Sequence, residues 1–276
     1  MIRSTRKQAG LSIISLMIAS AIGVFLIGGA GKIYLDSKNA FIARSTIAAA
    51  AESSRFAVQD LRRNLVMAGR GVTEQNDNPS TYLDPDNNMR TFPAVDPDNT
   101  VAASSTGIID MDSNDSSAVA VRYAEGPAPC GQDGTIDTTH TVRFYRNGDA
   151  ELICQSIETV AGALNTGGAF ERAMASGVVL MRALYGVDTD ADGIANQYLT
   201  ATEVDNADRW VNVVTIRIGI VTSSDTEELP YTYRPAAAEE MRVLGMEHIA
   251  ADTSHSFKTA STTIALRNLN TTVQRQ

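Results

Sequence analysis

The sequence predicts an α+β protein in which one long N-terminal helix, membrane-spanning through its first half, packs on an antiparallel β-sheet. Three observations carry the prediction. No charged residue lies between Lys7 and Lys32. Helical spacing of apolar residues continues past that interval, and the first proline is Pro79. From Val119 onward, apolar and polar residues alternate in short runs divided by turn formers.

The helix comes first in the chain. From Ala9 to Gly31 the sequence is dense in Leu, Ile, Met, Val, Phe, Ala and Gly. About 20 apolar helical residues cross a bilayer, so 11–31 is the expected transmembrane segment. Arg3, Arg6 and Lys7 precede it with no acid among them. The positive-inside bias keeps those residues in the cytoplasm and sends the body outside. No later stretch is long and apolar enough to span again. A secretory signal cleaved after Ala19-Ser20-Ala21 is the alternative. Against it stands the continuity of the helix. Val58, Leu61, Leu65 and Ala68 follow helical spacing, and Leu35, Ile42, Ala49 and Phe56 recur every seven residues. Gly69 and Gly71 are stop signals. Leu11 to Ala68 reads as one helix about 85 Å long at 1.5 Å per residue. Residues 32–71 are its extracytoplasmic half, amphipathic and in need of a packing surface.

Residues 72–276 read as one β-rich globular domain with loop insertions. Asn76 to Asn99 is rich in Asn, Asp and Pro, all turn formers. Val119, Val121 and Tyr123 then alternate with Ala120 and Arg122, and Val142 and Phe144 with Arg143 and Tyr145. Asn147-Gly148 predicts a hairpin turn, with Leu152 to Ile157 as the return strand. Val178 to Tyr185 is a further strand. Val214, Ile216, Ile218 and Ile220 present one apolar face with Arg217 pointing away, and Thr262 to Leu266 closes the sheet. There is no internal repeat.

Composition narrows the function. The chain has 276 residues, 43% of them hydrophobic and 20% charged. These values suit a chain with a buried core and exclude wholesale disorder, collagen and a polytopic membrane protein. Lys and Arg total 23 against 32 Asp and Glu, for a formal charge of -9. An acidic body repels phosphate backbones, so no nucleic-acid partner is expected. Two cysteines cannot build a four-cysteine zinc site. His140, His248 and His255 lie far apart, surrounded by Thr, Ser and Glu. Nucleophile motifs, phosphate loops and His-Glu-x-x-His are absent from the sequence, and no enzymatic activity is expected.

Two local patterns carry chemistry. Cys130 and Cys154 flank the first strand of the predicted hairpin, and outside the cytoplasm this spacing predicts a disulfide. In the chain-entropy model a loop of that length contributes about 3 kcal/mol. The pair lacks the Cys-x-x-Cys spacing of a redox site. Asp188, Asp190, Asp192 and Gly193 form a D-x-D-x-D-G run. Alternate carboxylates can wrap one hard cation while the glycine permits a sharp turn, which points to structural Ca2+. Ile194 would add a backbone carbonyl and Asn196 a direct or water-mediated ligand. Position twelve of an EF-hand loop would be Leu199, which cannot ligate, so affinity falls unless Glu203, Asp205 or Asp208 folds back. The competing reading is an acidic turn. Asp84, Asp86, Asp96 and Asp98 beside prolines, and Asp110, Asp112 and Asp115 in a Ser-rich turn, read as solvated loops.

The basic leader ending in Gly10, followed by Leu11-Ser12-Ile13-Ile14-Ser15-Leu16-Met17-Ile18, resembles a type IV prepilin signal. More specifically, the chain resembles PilW-type minor pilins. The resemblance lies in Glu52-Ser53-Ser54-Arg55-Phe56-Ala57, Leu61-Arg62-Arg63 and Met67-Ala68-Gly69. It continues in Tyr185 to Gly193, in Val213-Val214-Thr215-Ile216-Arg217-Ile218, and in Thr262 to Asn268. The resemblance implies a pilin-like fold and a leader peptide over 1–10. It implies that a prepilin peptidase cuts between Gly10 and Leu11 and methylates the new N-terminus. Pilins of this kind usually carry Glu at the fifth mature position, where it pairs with the amine of a neighbouring subunit. Here that position is Ser15. The implied partners are other minor pilins, the major pilin and an inner-membrane assembly platform. The implied location is the inner membrane, single-pass with a periplasmic body, and then a surface pilus. The implied function is a structural subunit that helps initiate pilus assembly, with the tip as its place. The alternatives are a type II secretion pseudopilin and a pilus-associated adhesin.

N-terminal sequencing of the membrane-extracted protein is expected to begin at Leu11. A mature start at Ile22 would mean ordinary secretion.

Overall fold

The computed structural model describes residues 13–72, 91–93, 108–110, 116–160, 163–224, 228–250 and 252–269. The expected cleavage site at Gly10 and Leu11 lies outside them, as do Asp84, Asp86, Asp96, Asp98, Asp112 and Asp115. The structure bears out the expected class: a long apolar helix against antiparallel sheets.

Helix α1 runs Ile13–Leu65 without a break, 53 residues or about 80 Å. It ends in a tightened turn, Met67 N–H donating to Asn64 O and Ala68 N–H to Leu65 O, and Gly69 follows at φ 78°. Its two halves differ in what they touch. Through residue 38 nearly every side chain is exposed, including Phe25 at 81%. Gly28 and Gly29 have nothing within 4 Å of where a Cβ would sit. Beyond that the helix buries Ala43, Thr46, Ala50, Ser54, Ala57, Leu61 and Leu65.

The buried stripe corrects one expectation. Of the seven-residue recurrence, Leu35 and Ala49 are exposed, Phe56 is 55% exposed and Ile42 is half-buried. The reason is steric. Small residues at 43, 46, 50, 54 and 57 let the helix backbone come close enough for Thr222 Oγ1 to donate to Ala50 O at 3.0 Å. Ser53 Oγ likewise reaches Ser176 O at 2.8 Å. Large side chains on that face would hold the helix off the sheet, so they lie on the outward face.

Among the described residues the body has thirteen strands, all pairs antiparallel. Strands β1 (Val119–Tyr123), β4 (His140–Arg146), β5 (Leu152–Val160) and β7 (Phe170–Ala175) form one sheet in that order, with short β6 (Ala163–Leu164) also on β5. A two-residue ladder joins β2 (Gly126–Pro127) to β3 (Thr135–Ile136). The second sheet has the order β13 (Phe257–Ala265), β10 (Val213–Ser223), β8 (Val178–Val187), β9 (Gln197–Leu199). Helix α1 packs on β13, β10 and β7 and so bridges the two sheets. The hairpin of β11 (Glu239–Val243) and β12 (Met246–Ala250) covers the other face of the second sheet. It lies so close that a Cβ on Gly219 would stand 2.4 Å from Val243 Cγ1.

Three further details depart from the alternating patterns. In the first sheet β1 and β4 are buried on both sides, not one, while the edge strand β7 is exposed. Arg143 is fully buried, its guanidinium 4.8 Å from the Tyr145 ring centroid, and Gln155 Nε2 donates to Glu171 Oε1 at 2.7 Å. In β10 the register shifts between Val213 and Thr215, so Val213 takes the core position and Val214 is only partly buried. A bulge of this kind adds one residue and reverses the alternation beyond it. The β4–β5 turn spans 147–151, Arg146 pairing with Leu152. It is organised by the Asn147 side chain, whose Oδ1 accepts from the N–H groups of Asp149 and Glu151.

One core joins the end of α1 to both sheets, with Leu61 and Leu65 packed among Val121, Phe144, Tyr185, Ile216 and Ile218. Trp210, Tyr185 and Phe92 cluster within it, Tyr185 meeting the other two rings edge to face, with the Tyr185 and Trp210 centroids 4.9 Å apart. Leu61→Ala is expected to destabilise the body by about 2–5 kcal/mol. Phe56→Ala should cost less than about 0.5 kcal/mol, as exposed substitutions do. Denaturant unfolding of both variants checks the pair, and equal losses would put Phe56 in the packing face.

Candidate functional site

The Asp-rich loop spans 188–196, between Val187 at the end of β8 and its partner Gln197 in β9. Two strands of the second sheet thus hold its ends side by side. Asp188 is 6% exposed. Its Oδ1 accepts from the N–H groups of Asp190 at 3.1 Å and Ala191 at 2.7 Å, and its Oδ2 from Gly193 N–H at 2.7 Å. Ala191 and Gly193 both take positive φ to make this wrap, at 62° and 85°. Burial acts to raise the Asp188 pKa, but the N–H groups of Gly193, Ala191 and Asp190 outweigh it and hold the carboxyl below its ordinary value.

Asp188, Asp190 and Asp192 each offer an oxygen, all within 4.8 Å of one another, so the three could hold a metal ion. The other expected contributors are arranged differently. Asn196 fastens the loop to itself: its Oδ1 accepts from Thr189 N–H at 2.6 Å and Thr189 Oγ1 at 3.1 Å, and its Nδ2 donates to Asp190 Oδ1 at 3.3 Å. Ile194 N–H donates to Asp192 Oδ1 at 2.7 Å. Leu199 has already rejoined the sheet opposite Tyr185. Glu203 closes a capping box with Thr200 on the short helix α2 (Ala201–Asn206), and Asp205 Oδ1 accepts from Trp210 Nε1 at 2.9 Å. The role of Thr189 had no sequence signal, because a threonine between aspartates fits any exposed turn.

Cys130 and Cys154 are joined in a disulfide, with Cα atoms 5.4 Å apart. It links the loop before β3 to the middle of β5. The histidines do not converge. His140 Nδ1 lies 3.0 Å from Ser156 Oγ on the first sheet, and burial, partly offset by Glu158, lowers its pKa. His248 lies in β12. His255 contacts Asp252 in a turn before β13, where Ser254 Oγ donates to the same carboxylate at 2.6 Å. That serine gives its hydrogen bond to the carboxylate, a turn-closing arrangement. The chief cause holding Asp252 down at about 2 is this Ser254 hydroxyl.

The other candidate surface is the uncovered half of α1. It is long and apolar enough to cross a membrane. Ser15 sits within it, exposed like its neighbours.

Comparison with known proteins bears out the resemblance seen in the sequence. The family model described as Type IV Pilus-assembly protein W matches residues 139–268. The match takes in most of both sheets, Cys154 and the Asp-rich loop, and leaves out α1. Among solved structures, the chain is similar to a type IV-like pilin from Thermus thermophilus, with 11% identity and a TM-score of 0.45. That similarity covers 79% of this chain and 97% of the other. A search among curated proteins gives no match.

Proposed function

We propose that this chain is a minor type IV pilin, a structural, non-enzymatic subunit that helps initiate pilus assembly and stands near the tip. The observation that carries the reading is α1 itself, together with the family match over the body. One unbroken helix is apolar on all sides up to Gly31, is exposed up to residue 38, and is then pinned to the body by a narrow stripe. A helix apolar all round is suited to lipid or to a bundle of like helices. In this reading 1–10 is a leader removed at Gly10, and 11–31 anchors the subunit in the inner membrane. Residues 32–71 extend into the periplasm, and 72–276 form the exposed body. Its partners are other minor pilins, the major pilin, the prepilin peptidase and the assembly platform.

Ser15 supports a place outside the repeating shaft. A shaft repeats one packing of apolar helices, and each N-terminal amine within it needs a nearby carboxylate, since an unpaired buried charge is costly. A serine supplies no counter-charge. A homopolymer of this chain would repeat the deficit at every subunit, whereas an initiating complex carries it once. Deleting the protein should reduce pilus number while the shaft remains made of another pilin. Filaments with this chain as their main component would refute the proposal, and intact piliation with lost protein export would favour a secretion pseudopilin.

We further propose that the Asp-rich loop takes Ca2+ in a structural role. Three carboxylates around one point repel one another, and a hard divalent cation removes that repulsion. The ligands would be Asp188, Asp190 and Asp192, with the Ile194 carbonyl and Asn196, directly or through water, completing the shell. Full-length protein in detergent should melt at higher temperature with calcium than with chelator. An unchanged Tm, or a calcium response that survives Asp190→Ala, would leave the loop as a turn.

A further inference from the structure

A cleft of about 300 Å3 opens where the last turns of α1 meet β7 and the loop that carries Cys130. Its size is at the lower end of the range used for small-molecule recognition. Three features set it apart from the rest of the surface. The first is charge. Arg63 from α1 and Arg172 from β7 line it, and Asp60 is the one acid on its wall. The cleft is therefore net positive on a chain of formal charge -9. Neither guanidinium has an ion-pair partner among the described residues, and Arg172 Nη1 makes one long bond to Gly131 O at 3.4 Å.

The second feature is the lining between them. Met67 and Met174 face the cleft beside Tyr123, whose hydroxyl is turned to Pro127 O at 3.2 Å. Methionine is unbranched and polarisable and adapts to apolar groups of varied shape. The third is the construction of the wall. Gly131 sits at φ 71°, which favours glycine, and a Cβ there would stand 2.3 Å from Arg172 Nη1, so a side chain at this position would push the guanidinium from its present place. The neighbouring Cys130 is tied to β5 by its disulfide and to α1 by its N–H, which donates to Asn64 Oδ1 at 3.3 Å.

We propose that this cleft binds a carboxylate joined to a small apolar group, the carboxylate held by Arg63 and Arg172 and the apolar part by Met67 and Met174. A guanidinium presents its donors in a fork that matches a carboxylate, which favours this anion over a point-like one. The ligand is either a free small acid or an acidic residue on a segment of another protein chain. The inference stands on the cleft alone and is independent of the pilus assignment.

The test uses full-length protein in detergent with 13C-labelled methionine methyls. The probes are N-acetyl-leucine, its uncharged amide, and a capped alanyl-leucyl-glutamyl-alanine peptide. The expected result is a saturable shift of the Met67 and Met174 methyl signals with an acid probe and none with the amide. Arg63→Gln and Arg172→Gln should each weaken binding by about tenfold, the loss of one charge-assisted contact, while Arg217→Gln changes nothing. A response to N-acetyl-leucine alone identifies a small-acid site. A response to the peptide identifies a site for a protein segment. Silence with both acids, or an equal shift with the amide, overturns the proposal without reference to any variant.

Discussion

The close seam between helix α1 and the second sheet is the contact on which the rest of the structure depends. Ala43, Thr46, Ala50, Ser54 and Ala57 make that seam thin enough for a hydroxyl of β10 to bond a carbonyl of the helix. Leu61 and Leu65 then widen it into the common core. Because the same helix also touches β7, it fixes the first sheet against the second. The two sheets also meet directly, Arg146 Nε donating to Val178 O at 3.1 Å and Val178 N–H to Ala150 O at 2.7 Å. The helix closes the open side of the core that the two sheets share.

The Asp-rich loop illustrates how a sheet presents a site. β8 and β9 are paired up to Val187 and Gln197, so the loop begins and ends at fixed points. Within it, Asp188 uses both carboxylate oxygens to gather backbone N–H groups, and Asn196 bonds Thr189 across the loop. The carboxylates are thus brought together by the turn itself. Nearby acids that the sequence offers as ligands are occupied elsewhere: Glu203 caps a helix and Asp205 holds Trp210.

What was legible in the sequence were properties set by neighbours along the chain. The apolar span, the helix end at Gly69, strands β4, β8 and β10, and the aspartate run each depend on spacing over a few residues. What was hidden depends on contacts between distant segments. Arg143 reads as the solvent side of a strand, yet it is buried because Ile109, Ala118, Tyr145 and Ile153 cover that face. Leu35, Ala49 and Phe56 look like a packing stripe by period, yet the sheet selects the small residues beside them. The bulge at Val214 has no local signature, since Val213 and Val214 are the same residue type and only the pairing with β8 decides which turns inward. Arg63 and Arg172 come together only because the fold lays β7 against the end of α1.

If the apolar half of α1 lies in lipid, as proposed above, the unbroken run from Ile13 to Leu65 makes the helix a lever with its fulcrum in the bilayer. Membrane helices tilt by about 20° on average. A rigid rod tilted that far from upright moves its far end sideways by roughly a third of its length, which at 1.5 Å per residue is on the order of 25 Å here. The body would sweep an arc instead of standing over one point. The seam with the sheet would travel with the rod and keep the body in one relation to it.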